Sequence, residues 1–114
     1  MTTIITGTVD FSPEDAPKAL AAATDLMRDT RSQQGCLAYV WCADPTTPGR
    51  VYVYEKWART EDLAAHLAGP YYRGMLGVLQ AHNILGVDVQ KHRVTLSEPV
   101  YDPAGVPRAD FFTG

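Results

Sequence analysis

His66 and Glu55 are the two side chains of this sequence best placed to move a proton. His66 lies three residues after Leu63 and one before Leu67, so at helical spacing its imidazole borders an apolar stripe. Glu55 alternates with Val51, Val53 and Trp57, and on a strand these four share one face. If that face meets the helix carrying His66, the carboxylate can fix the tautomer of the imidazole, as orienting carboxylates do for general bases. Such a pair suits removal of a proton from a bound molecule. Trp41, Trp57, Tyr71 and Tyr72 could wall a pocket for a flat ligand, or pack as ordinary core and interface. Structural roles stand beside these: His66 as a core histidine satisfied by a backbone carbonyl, Glu55 as half of a buried ion pair with Arg59 or Arg73. His82 continues a stripe of Met75, Val78 and Leu79 and could also look inward, whereas Asp88, Lys91 and His92 are expected to meet solvent.

Other chemistries lack their residues. There is no Gly-rich phosphate loop, no GxSxG elbow and no Cys/His set at zinc spacing, and the three histidines lie sixteen and ten residues apart. No metal is expected, nor a flavin or nicotinamide held by a local motif. Cys36 and Cys42 fall on one apolar strand, where six steps separate their Cα atoms by about 20 Å, beyond the ~7 Å limit for bridging. They read as small buried residues rather than a disulfide.

The elements that must position these groups are legible in order. TTIITGTVDF over residues 2–11 is strand-like. Ser12-Pro13-Glu14-Asp15 predicts a capped helix start, and Ala16, Ala19, Leu20, Ala23, Leu26 and Met27 repeat at helical spacing up to a stop near Gly35. Leu37–Trp41 and Val51–Trp57 flank a turn cluster at 44–49 and make a hairpin. In the first of these strands Leu37, Tyr39 and Trp41 are expected on one face, with Cys36, Ala38, Val40 and Cys42 on the other. A second helix follows Thr60, is interrupted at Gly69-Pro70, and resumes through Tyr71 to His82. Val87–Val94 is the last strand. The order βαββαβ predicts a ferredoxin-like α+β domain over residues 1–96, with a four-stranded antiparallel sheet and two helices on one face. Residues 97–114, rich in proline and without periodicity, are expected to form an extended arm. Neither sheet face is polar enough to meet water alone, so a second copy is expected over the helix-free side as a homodimer, with the arm folding back over it as the alternative.

Composition narrows the partners. At 114 residues the chain is one domain, and 46% hydrophobic with 20% charged is ordinary globular composition. Ten basic against thirteen acidic residues leave a net charge of −3, which disfavours nucleic acid and polybasic membrane binding. No apolar run reaches the ~20 residues of a membrane span. MTTIITGTVDFSPED has no basic stretch leading into an apolar one, so a cytoplasmic location is expected.

Val53-Tyr54-Glu55-Lys56-Trp57, then Leu63-Ala64-Ala65-His66-Leu67 and Pro70, resembles the signature of the antibiotic biosynthesis monooxygenase family: E-x-W, eight residues, H, and a closing proline. Gly35-Cys36-Leu37-Ala38-Tyr39 is similar to the family's strand after the first helix, and the resemblance covers residues 4–95. It implies a dimeric α/β barrel and, as activity, oxygenation of quinols or polycyclic phenols by O2 with no metal or flavin. On this resemblance His66 is base or proton relay, Glu55 its orienter, and Trp57, Tyr72, Tyr39, Val53 and Leu63 form the substrate pocket. Leu63 and Val53 stand where one branch of the family carries a tyrosine and an asparagine. Leu76 stands where the haem-degrading branch has its iron ligand, and the chain is most similar to the small quinol monooxygenases. A non-catalytic dimer that binds a small aromatic ligand, or only scaffolds, is the alternative function.

Overall fold

The computed structural model describes all 114 residues. Its elements are β1 (Thr3–Phe11), α1 (Asp15–Arg31), β2 (Cys36–Ala43), β3 (Arg50–Trp57), α2 (Thr60–Leu67), α3 (Pro70–Gln80) and β4 (Ile84–Arg93). The strands form one antiparallel sheet in the order β2-β3-β1-β4, the ferredoxin-like α+β arrangement, open rather than closed into a barrel. There are three helices rather than two. Gly69 adopts an extended conformation, and Pro70, which has no N–H to contribute to the preceding turn, opens α3 at its first position.

The start of α1 departs from the expected cap. The backbone carbonyl of Ser12, not its hydroxyl, accepts from the N–H groups of Asp15 and Ala16. The Asp15 carboxylate instead accepts the Asn83 N–H at 2.7 Å, which ties the start of α1 to the entry of β4. Behind it, Ala16, Ala19 and Ala23 are buried and small, letting α1 lie close on the sheet. Their neighbours form two core clusters: Ile5, Met27, Tyr39, Trp57, Leu63 and Met75 with Ala23, and Val9, Phe11, Val51 and Val53 with Ala16 and Ala19.

The alternation in β3 is as the sequence predicts: Val51, Val53, Glu55 and Trp57 are buried under the helices, and Tyr52 and Tyr54 face away. β2 is different. Its register with β3 shifts between Cys36 and Ala38, a one-residue bulge that puts Leu37 into solvent and turns Cys36 toward the core, the reverse of simple alternation. Tyr39 and Trp41 keep the helix-side face. Cys42 is exposed rather than buried, and both thiols are free.

β2 is an edge strand, and α1 seals part of that edge. Arg31 Nε donates to the Tyr39 carbonyl at 2.8 Å, and the Trp41 N–H donates to Met27 Sδ at 3.4 Å. The far edge, along β4, has no such cover, and Leu85, Val87 and Val89 are exposed there.

Gly35 leads into β2 with φ 76, a left-handed conformation that side chains disfavour. A Cβ there would also overlap the Asp62 side chain, which Arg59 holds at 3.1 Å. Gly35→Ala should therefore lower unfolding stability by ~1–3 kcal/mol, read by denaturant titration. Wild-type stability would show that the loop relaxes freely.

Residues 97–114 contain no helix or strand but carry local hydrogen-bonded turns. Asp102-Pro103-Ala104-Gly105 makes a tight turn, with Gly105 N–H donating to the Asp102 carbonyl at 2.8 Å, and Tyr101 bridges Pro107. The Glu98 carboxylate accepts from the N–H groups of Phe112 and Thr113. Val100, Tyr101, Val106 and Phe111 remain exposed. The radius of gyration, 16.0 Å, exceeds the ~13 Å of a compact chain of this length, as a projecting arm requires. No helix is long and apolar enough to cross a membrane.

Candidate functional site

Between the sheet and α2–α3 lies a cavity of about 250 Å3. Ile5, Val9, Tyr39, Trp41, Val53, Glu55, Val87 and Val89 form its floor, and Leu67, Tyr72, Met75 and Leu79 its roof. Each strand of the sheet contributes to the floor, because the alternation places every second side chain toward the helices. The wall is apolar apart from one carboxyl and the polar ends of three aromatic side chains.

The carboxyl is Glu55, 8% exposed. Oε1 accepts the Trp57 indole N–H at 3.0 Å. No cation balances it: Arg59 pairs with Asp62, and Arg73 donates to the Ala68 carbonyl, so neither ion pair weighed from the sequence forms. Burial raises the Glu55 pKa above the ordinary carboxylate value, and the indole hydrogen bond opposes that rise. A carboxyl in this state takes up and releases protons nearer neutrality than a surface glutamate.

Tyr39 stands directly across the β2–β3 ladder from Glu55 and is 3% exposed. Burial and the neighbouring Glu55 charge both push its phenol pKa up, so it stays protonated. Trp41 pairs with Val53 two positions on, and its indole Nε1 is buried without a hydrogen-bond partner.

His66 occupies a different place from the one expected. It is 1% exposed and is not on the cavity wall. Its ring lies 4.9 Å from Trp57, 5.6 Å from Tyr39 and 5.9 Å from Tyr72, centroid to centroid. Its hydrogen bond is to Gln33, not Glu55: Nδ1 lies 2.7 Å from Gln33 Oε1, and facing that acceptor it carries the proton. Burial lowers the imidazole pKa, which keeps the ring neutral. The carboxylate–imidazole pair read from strand spacing is thus replaced by two separate pairs, Glu55 with Trp57 and His66 with Gln33.

Of the pocket residues expected from the sequence, Tyr39, Val53 and Tyr72 line the cavity, while Trp57 and Leu63 are buried off its wall at 0% and 4% exposure. His82 is satisfied locally, its Nδ1 2.7 Å from the Val78 carbonyl. His92 sits on the helix-free face with Nε2 2.9 Å from the Thr6 hydroxyl. Trp41, one of the aromatic residues expected to wall a pocket or pack as core, lines the cavity. Gln33 carried no signal in the sequence, because it lies in an irregular turn whose direction no periodicity fixes. No grouping of three or more His, Cys, Asp or Glu residues could hold a metal ion.

The family model described as antibiotic biosynthesis monooxygenase matches residues 2–76. Among solved structures, a candidate antibiotic biosynthesis monooxygenase of Deinococcus radiodurans superposes with a TM-score of 0.78 at 23% identity, covering 88% of this chain and 99% of that one. Another candidate monooxygenase, of Caulobacter crescentus, gives 0.75 at 18% identity over 83% and 91% of the two chains. A conserved protein of Methanosarcina mazei gives 0.73 at 15% identity over 82% and 92%. These likenesses are of fold. An uncharacterised protein of Synechocystis is 23% identical over 69 residues, 60% of this chain, which spans about half (47%) of that protein's length.

Proposed function

Because the chain belongs to the antibiotic biosynthesis monooxygenase family, we propose that it is a monooxygenase that oxidises a small phenolic or quinol substrate with O2, without a cofactor, in the cavity that Glu55 lines. The observation that carries the reading is Glu55: a carboxyl with no cation partner, its pKa raised by burial, on the wall of an otherwise apolar cavity. Such a group removes a phenolic proton without drawing water into the site. The phenolate is electron-rich enough to pass one electron to O2, and the resulting radical pair joins as a carbon–oxygen bond. The ring proton then leaves and the O–O bond breaks, with Glu55 returning a proton to the departing oxygen. A phenol and O2 become a quinone and water. One oxygen atom ends on carbon and the other in water, and the substrate supplies all four electrons.

His66 and Trp57 are positioning residues in this scheme. Trp57 holds Glu55 through its N–H, and His66 supports the rings of Trp57, Tyr39 and Tyr72. The cavity volume falls below the ~300–1,000 Å3 of pockets for drug-sized ligands, which favours one- or two-ring substrates over larger polycyclic ones. The test is oxygen uptake with a panel of naphthols and quinols, using protein freed of metal and flavin, and with labelled O2 to follow one atom into the product. Uptake at the no-enzyme rate across the panel would favour a module that only binds a small aromatic ligand.

The same reading includes a homodimer. Tyr52 and Tyr54 on the helix-free face and the apolar residues of the arm are exposed in the single chain, and burying them against a second copy would remove both from water. Sedimentation should give a dimer at micromolar concentration, and removal of residues 97–114 should weaken it at least tenfold. A 12.5 kDa monomer for the full chain would sink the assembly.

A further inference from the structure

We propose that Tyr39 and Trp41 form a donor relay for the hydroxyl oxygen of the bound substrate: Tyr39 donates to that oxygen while its own oxygen accepts from the Trp41 indole N–H. The proposal rests on reading the cavity as the substrate site. Three observations lead to it. Tyr39 and Glu55 are direct cross-strand partners on the cavity floor, so a donor and a proton acceptor face one ligand from neighbouring positions. The Tyr39 hydroxyl makes no hydrogen bond to the rest of the chain. The Trp41 N–H is the one buried side-chain polar atom without a partner in the molecule. Tyr39 and Trp41 are alternate residues of β2 on its helix-side face, and both line the cavity.

A buried donor left unpaired is costly enough to need a reason. A ligand supplies one. When Tyr39 turns its proton toward an incoming oxygen, its lone pairs become better acceptors and can take up the indole N–H. The phenol cannot itself serve as the base, because burial and the adjacent carboxylate keep it protonated. It can only donate, and a donated bond strengthens as the ligand oxygen turns anionic. One oxygen then gives its proton to Glu55 and accepts from Tyr39. Only a hydroxyl does both, so the relay selects hydroxylated arenes over their methyl ethers.

The probes are 4-nitrophenol, whose absorbance reports its ionisation, and 4-nitroanisole, its methyl ether. Tyr39→Phe should weaken nitrophenolate binding about ten- to a hundredfold and raise the pH at which bound nitrophenol ionises, with nitroanisole affinity unchanged. Trp41→Phe should weaken it less, and that loss should vanish in the Tyr39→Phe background, because the indole acts through the phenol. Equal nitrophenolate affinity of Tyr39→Phe and the wild type overturns the relay. So does an undiminished Trp41→Phe effect in the double variant, or the absence of saturable nitrophenol binding to the wild type. Melting curves establish that each variant is folded. If Tyr39→Phe does not fold, Tyr39→Trp, which keeps a donor, should retain the discrimination that Tyr39→Leu loses. Because binding is read without turnover, a protein that shows this pattern yet takes up no O2 keeps the relay and loses the oxidation.

Discussion

Glu55→Gln should remove about 10²–10⁴-fold of the oxidation rate while leaving the protein folded, the usual worth of a positioned general base. The amide keeps an acceptor for the Trp57 N–H and nearly the same volume, so packing is preserved. The pH dependence gives a second handle. Because the acting form is the carboxylate and its pKa is raised, the wild-type rate should climb with pH through a window above the ordinary 4.5, and Gln should show no such limb. Trp57→Phe removes the one hydrogen bond that favours the charged form, and should move that limb to higher pH. Stability carries the opposite sign. Between 4.5 and its raised value, Glu55 binds more proton in the folded state than in the unfolded one, so wild-type stability falls as pH rises across that window. Glu55→Gln should lack this fall and gain on the wild type toward neutral pH. A Gln variant with wild-type turnover would remove Glu55 from the chemistry, and His66 would be the next group to test.

His66→Ala should cost ~3–5 kcal/mol of stability, the range for truncating a large buried ring. The loss combines a void among Trp57, Tyr39 and Tyr72 with a Gln33 amide left unpaired. The folded fraction should lose turnover mainly through Trp57 and Tyr39, so kcat should fall by less than in Glu55→Gln, with the carboxylate limb still present. Burial lowers the His66 pKa below 6.5, so the unfolded chain binds the extra proton first. His66 therefore adds stability that is fully present above 6.5 and lost as pH falls through its lowered value, and the alanine variant should not show that loss. Chemical denaturation of wild type and variant across this range checks the slope. A stable alanine variant with turnover reduced as far as in Glu55→Gln would instead make the imidazole the base.

The sequence was most readable where one short-range rule decides the outcome. Alternation alone put Val51, Val53, Glu55 and Trp57 under the helices, and Gly69-Pro70 marked the break between α2 and α3. It was least readable where a single residue or a distant partner decides. One bulged residue exchanges the faces of Leu37 and Cys36, and nothing in GCLAYVWC marks it. The Gln33–His66 bond joins residues 33 apart through a turn without periodicity, so spacing pointed to Glu55 as the neighbour instead. Asp102-Pro103-Ala104-Gly105 carries a turn signature within the arm, and the prolines that surround it supply no periodicity to place it.

The sealing of one sheet edge by Arg31 and Met27 has a consequence for how copies can add to one another. A sheet with two bare edges can recruit strands at both ends and grow into a filament. This one offers open backbone along β4 and an obstructed β2, so a join of β4 to β4 would consume the free edge of both copies. What remains outside is the blocked strand of each. Growth by strand addition should therefore stop after a single union, which makes the protein a poor seed for fibres even though β4 exposes valine and leucine to water.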